Sequence, residues 1–319
     1  MLRLCSLQHN DGGYDVKVIN TLKTGLTAGF VALAMLSGST WADEVLKPFT
    51  LAFTSSGDLK EKINVVKGAL TAKGFEVVGE YDPYANAHVI VVTSDELKKD
   101  AADNQMGGFA AGERIGVTKM GDQIQVTYVN PAYLANAYRM KTDLANISAK
   151  LQAALGKVED FGAKGLTAAK LRKYHYTFGM EYFNNVYKLA EYDNYQEAVK
   201  AMEKNLASNK HGIGKVYRID IPGKDETVFG VSMKGVTPED KYYDDKYQMS
   251  VVDFAPVRST AYLPYEIMVE GNKVIALHMR FRMAVHFPDL KMMGAASFMT
   301  LMPSPGAIET VLSSVANGK

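Results

Sequence analysis

Residues 265–287 read YEIMVEGNKVIALHMRFRMAVHF, and the parsing of this stretch decides the fold. It predicts a β-hairpin: one strand, a turn at Glu270-Gly271-Asn272, and a long second strand running to Phe287. Glycine and asparagine supply the backbone freedom that a tight hairpin turn needs. A weaker copy lies upstream at residues 113–130, ERIGVTKMGDQIQVTYVN, with its turn at Gly121-Asp122. There Ile124, Val126 and Tyr128 alternate with polar residues, giving one buried and one wet face. A hairpin that occurs twice predicts a chain built from two versions of one module.

The surroundings of each hairpin agree. Phe49 to Thr54 reads as a strand; Ser55, Ser56 and Asp58 are cap-type residues. Leu59, Ile63, Val66 and Leu70 then share a helical face that Gly74 closes. Phe75 to Tyr81 is a second strand, ended by Asp82-Pro83, and His88 to Thr93 a buried third, followed by a short helix. After the upstream hairpin, Asn130-Pro131 starts a helix, and Leu144, Ile147, Leu151 and Leu155 define another. The second half repeats the order. It has a strand at 186–191, a helix at 192–206, strands at 216–221, 227–233 and 249–254, the hairpin, and a terminal helix around 308–315. The glycine-rich QMGGFAAG at 105–112 lacks the P-loop lysine and leads into a strand, so it reads as a connection, not a phosphate cradle. The expected fold class is α+β: two similar modules, each a mostly antiparallel sheet with helices packed on one face, forming a pseudo-dimer. The expected divisions are 1–42, 43–156, a linker at 157–185, and 186–319.

Residues 1–42 read as a signal peptide. Lys17 and Lys23 precede an apolar run shorter than the ~20 residues a membrane span needs, and Thr40-Trp41-Ala42 fits signal-peptidase cleavage before Asp43. The polar stretch before Lys17 places the true start further in. This segment holds three of the 36 Lys and Arg, two of the 35 Asp and Glu, and the single cysteine, Cys5. The remainder is charge-balanced, which argues against nucleic-acid binding. It is also free of cysteine, which suits an oxidising compartment; a bacterial periplasm is the expectation.

The stretch FTLAFTSSGDLKEKINVVKGALTAKGFEVV (49–78) and the hairpin ending GDQIQVTYVNP (121–131) resemble the DUF302 family. YKLAEYDNYQEAVKAMEKNLASN (187–209) and YEIMVEGNKVIALHM (265–279) look like a diverged second copy. The resemblance is to a pattern of elements over most of the chain. It implies a small α/β domain and a tendency to dimerise, as a monomeric pseudo-dimer or a homodimer, and it brings no catalytic residues with it.

Candidate sites come from alternation. With 273–287 extended, one face of the strand is apolar and the other presents His278, Arg280, Arg282 and His286. Such a cationic face suits a carboxylate, phosphate or other oxyanion; the competing readings are a solvated outer face, or salt bridges to acids such as Glu266 or Glu270. Tyr133, Tyr138 and Arg139 lie just past a strand end, where ligand sites are common; packing or interface aromatics are the competing reading. Soft-metal handling, copper above all, is an alternative function. It is suggested by His278, Met279, Met283, His286, Met292, Met293, Met299 and Met302, although extended geometry puts the first methionines opposite the histidines and core filling explains such residues equally well. GxSxG and HExxH motifs are absent from the sequence, so a catalytic role has no motif behind it. The expectation is a non-catalytic binding protein for a small anion or a protein partner, with no cofactor and no metal assigned; an enzyme of unrecognised type is a further alternative.

Overall fold

The structure, a computed structural model, describes residues 44–319; the expected signal segment and Cys5 lie outside the described residues. The first sheet is built from β1–β7 less its first member. In chain order the elements are β1 (Val45–Leu46), β2 (Phe49–Ser55), α1 (Leu59–Ala72), β3 (Glu76–Tyr84), β4 (Ala87–Thr93), α2 (Asp95–Ala102), β5 (Glu113–Met120), β6 (Gln123–Val129), α3 (Pro131–Ala137), α4 (Ala145–Leu155) and β7 (Glu159–Phe161). A connection follows with β8 (Leu166–Thr167) and α5 (Ala168–Leu171). Then come β9 (Val186–Glu191), α6 (Tyr195–Ala207), β10 (Ile213–Asp220), β11 (Glu226–Met233), α7 (Asp245–Val252), β12 (Tyr265–Glu270), β13 (Lys273–Leu277), α8 (Met279–His286) and α9 (Ser304–Ala316).

The fold class is α+β. The first sheet has the order β3-β4-β5-β6-β2-β7 and the second β10-β11-β12-β13-β9, all neighbours antiparallel. Setting aside β7 and the β1–β8 pair, each sheet places the second, third, fourth, fifth and first strand of its half side by side. Helices α1 and α4 cover the first sheet and α6 and α9 the second. The uncovered faces meet, giving four layers. The approach is close: a Cβ at Gly79 of β3 would lie 2.2 Å from Val216 O of β10, and one at Gly116 would lie 2.9 Å from Ala261 N in the 260–262 turn that leads into β12. Only glycine allows backbones this near one another.

Local chemistry explains the elements. Asp58 and Asn194 cap α1 and α6, each accepting a hydrogen bond from the backbone three residues on. Val66 and Leu70 of α1, and Met202 and Leu206 of α6, are buried against their sheets; such side chains contribute roughly 1.5–3 kcal/mol each. Turns at Gly121 and Gly271, with φ of 60° and 58°, close the two hairpins where the sequence places them.

Three expectations need correction. The long strand of 273–287 stops at Leu277, which pairs with Val186, the first residue of β9. His278 then caps α8, its Nδ1 accepting from Arg280 N. Met, Arg and Ala are strong helix formers, and α8 is buried on nearly every side, so no polar stripe marks its period. In the stretch at 249–254, residues 249–252 are likewise helical, being the end of α7, which Asp244 caps at Tyr247 N. Strand β3 runs on past Asp82-Pro83 through an irregular register; it is an edge strand, where a proline's missing N–H costs no ladder bond. In the stretch at 157–185, β7 extends the first sheet by pairing with β2, and β8 pairs with β1. The described residues, 44–319, make one compact unit.

Candidate functional site

The change from strand to helix redistributes the expected cationic face. Arg282 and His286, four apart on α8, turn to the interior, while His278 and Arg280 at the start of the helix turn to a different neighbour. Arg280 and His278 both meet the carboxylate of Glu181, Nη1 at 3.1 Å and Nε2 at 3.4 Å. Arg282 and His286 are fully buried. The four do not form an open anion-binding face. Tyr133 is also buried, and its hydroxyl donates to Val285 O at 2.7 Å, tying α3 to α8; it is a packing residue.

Arg282 and His286 belong to a charged network between the sheets. Glu266 of β12 takes Arg114 Nη1 at 3.3 Å, Arg282 Nε at 3.8 Å and the Tyr217 hydroxyl at 2.9 Å. Arg282 Nη2 donates to Tyr262 O at 2.6 Å and to Pro264 O. Its guanidinium lies over the rings of Tyr262 and Tyr265, at 4.1 and 4.7 Å. His286 Nδ1 is 2.8 Å from Arg282 O, and Nε2 is 3.0 Å from Arg114 Nη2. A carbonyl can only accept and a guanidinium can only donate, so Nδ1 carries the proton and Nε2 accepts. Burial, then the two arginines, hold His286 neutral, its pKa well below the ordinary value. Two guanidiniums thus share one carboxylate in the interior.

Tyr138 connects this network to the surface. It caps α3, is stacked on Phe183 at 5.1 Å, and its buried hydroxyl makes no protein hydrogen bond. Burial raises that hydroxyl's pKa to about 12, opposed by the nearby charges of Arg114 and Arg282. Tyr138 also lines a cleft of about 370 Å³ between the Gln105–Met106 and Tyr138–Arg139 turns on one side and the inner faces of β9 and β13 on the other. Arg139, Lys188 and Lys273 surround the cleft, against one acid, Glu270. None of the three cations is ion-paired among the described residues.

Two non-glycine residues in this cleft, Met106 and Arg139, have φ of 53° and 57°. Such backbone costs on the order of 1–3 kcal/mol per residue and is kept only where neighbours enforce it. Arg172 enforces it at Arg139, donating to Met140 O at 2.9 Å and Arg139 O at 3.4 Å. Asn104 links the two turns by accepting from Lys141 N at 2.8 Å. The glycine-rich connection beside Met106 is held by Gly108 N donating to Glu226 Oε1 at 2.6 Å.

The metal-ligating set is divided too. Met279 and Met283 are buried in α8, both ring nitrogens of His286 are engaged, and Met292, Met293, Met299 and Met302 are exposed on the 291–303 loop. Among the described residues, no group of three or more His, Cys, Asp or Glu is placed to hold a metal ion. No helix among them is long and apolar enough to cross a membrane.

Sequence reasoning found Tyr138 and Arg139 but missed Lys188 and Lys273. Both are lysines on half-exposed strands, a pattern shared with any solvated edge. No family model, curated protein or solved structure matches the chain.

Proposed function

We propose that the protein is a non-catalytic binding protein for a small anion, held in the cleft between the Tyr138–Arg139 turn and the β9–β13 face. The observation that carries this reading is the set of three cations without an ion pair among the described residues, Arg139, Lys188 and Lys273, around a cleft of about 370 Å³. Behind the Tyr138 wall, Arg114 and Arg282 with one carboxylate add a positive field. The enforced backbone at Met106 and Arg139 supports a preformed rim, which lowers the ordering cost of binding. A carboxylate or phosphate is the fitting ligand class: a guanidinium binds either by two parallel hydrogen bonds, and two ammonium groups complete the charge.

The buried carboxyls with the highest pKa values, Glu113 and Asp245, do not line the cleft, so it lacks a poised acid or base. Export to a periplasm, from residues 1–42, and a duplicated DUF302-like origin belong to the same proposal. The shared strand order of the two sheets supports the second.

Calorimetric titration with inorganic phosphate and citrate tests the reading. Binding should weaken at least tenfold in Lys188→Ala/Lys273→Ala, with the thermal midpoint unchanged because both side chains are exposed. A wild-type protein that binds neither anion, or a double variant that binds as well as wild type, overturns it.

A further inference from the structure

The methionines of the 291–303 loop have no structural duty. Met292, Met293, Met299 and Met302 are 43%, 77%, 46% and 57% exposed, so core filling does not account for them. The loop that carries them is held in place. Leu301 is buried beneath it, Phe298 packs on the Tyr176 ring at 4.7 Å, and the Tyr176 hydroxyl donates to Leu290 O at 3.0 Å. Gly294, at a φ of 115° that glycine adopts without penalty, turns the chain back on itself.

That reversal joins three of the four methionines. Phe298 N donates to Lys291 O at 3.0 Å and Met299 N to Met292 O at 3.1 Å, which sets residue 299 against residue 292. Met302 N donates to Met299 O at 3.2 Å, at the end of the single 3₁₀ turn Phe298–Leu301, a geometry in which residues three apart lie on the same side. Met292, Met299 and Met302 thus have adjoining backbones. Met293 instead lines an apolar groove with Phe161, Val257 and Leu290. The other polar side chains of the loop are committed. Ser297 Oγ donates to Gly294 O at 2.6 Å and Thr300 Oγ1 to Ala295 O at 2.8 Å. The loop contains no acid, and its one charged residue, Lys291, is exposed. What it offers freely is sulfur.

We propose that Met292, Met299 and Met302 form a thioether site for a soft monovalent metal ion, Cu(I) or Ag(I). A thioether is neutral and polarisable, and such ligands select soft cations. A loop without carboxylates has little to hold a hard cation, and one without thiolate or imidazole has little to hold zinc. The methionine side chain is unbranched with three rotatable bonds, so sulfurs on adjoining backbones can converge on one ion.

The test is equilibrium dialysis of the full chain in chloride-free buffer against Ag(I), against Cu(I) under anaerobic reducing conditions, and against Zn(II). Ag(I) and Cu(I) should be retained at micromolar free ion, and Zn(II) should not. Met292→Leu/Met299→Leu/Met302→Leu keeps the apolar volume and removes the sulfur. Retention should fall at least tenfold in it, with the thermal midpoint unchanged because all three side chains are exposed. Met293→Leu should retain both ions as the wild type does. In spectra of methyl-labelled methionine, Ag(I) should move the Met292, Met299 and Met302 signals together and leave those of the buried Met279 and Met283 in place. A wild type that retains neither ion, a triple variant that retains as much as the wild type, or Zn(II) held as tightly as Ag(I) overturns the proposal.

Discussion

The guanidiniums of Arg114 and Arg282 have Glu266 as their shared carboxylate in the interior between the sheets. Removing one partner from a buried ion pair is more costly than the pair is worth, because the remaining charge stays desolvated. Glu266→Gln should therefore destabilise the protein by about 3–5 kcal/mol, measured by urea unfolding; a loss below about 1 kcal/mol, the range of exposed pairs, would contradict the network's role. Glu113 is different: a buried carboxyl with no hydrogen-bonded cation, raised by burial from 4.5 to about 8. The folded chain holds that proton more tightly than the unfolded one, so its contribution is full below about pH 4.5 and is lost as the pH rises toward about 8. Asp245 and Asp253, raised to about 7 and about 6, act in the same direction. His286, held neutral, acts in the opposite one: its contribution is present above 6.5 and lost as the pH falls. Glu113→Gln should thus flatten, without abolishing, the fall of the thermal midpoint between pH 5 and pH 8. Identical slopes in variant and wild type would remove Glu113 as a cause. None of this burial could be read from the sequence, where Arg114 and Glu266 are two more charged residues in alternating strands.

At the scale of elements, legibility followed the presence of two distinct faces. Helix α6 has a cap, a stripe of Val199, Met202 and Leu206, and a polar outer side, and the sequence locates it within a few residues. Asn194→Ala should cost it about 1 kcal/mol, the usual worth of such a cap, read as a small drop in thermal midpoint; no drop would mean that water replaces the Asn194 side chain at no cost. Helix α8 has no polar outer side, and its residues alternate apolar and polar by composition, so a period of two suggested a strand. The error mattered, because it placed His278, Arg280, Arg282 and His286 on one open face. In the helix His278 and Arg280 turn together to Glu181, while Arg282 and His286 are withdrawn into the interior. The cleft around Arg139 survives from the sequence reading only in part: Tyr138 and Arg139 were in view, and Lys188 and Lys273 were not.

The two sheets meet face to face, most closely where Gly79 of β3 faces Val216 of β10. Gly79→Val would force a side chain into Val216 O, at 2.2 Å from its Cβ alone. With backbone on both sides there is no flexible neighbour to give way, so the expected loss is several kcal/mol, at or beyond the upper range for overpacking. The comparison is Gly68→Val, on the surface of α1 with nothing within 4 Å of its Cβ, which should leave stability nearly unchanged. Similar losses in the two variants would deny the close approach of the sheets.

What the sequence determined by itself was local: both hairpin turns, the cap residues ahead of α1 and α2, most strands, and the strand-then-helix opening of each half. These depend on residues within a few positions of one another, through φ preferences, capping hydrogen bonds and periodic burial. What the tertiary structure alone decided was which faces are covered. Whether Arg282 meets water or Glu266, whether residues 278–286 can find a strand to pair with, and whether Arg139, Lys188 and Lys273 surround one cleft all depend on contacts between residues tens to well over a hundred positions apart. Burial and charge pairing are properties of that proximity, and no local pattern encodes it.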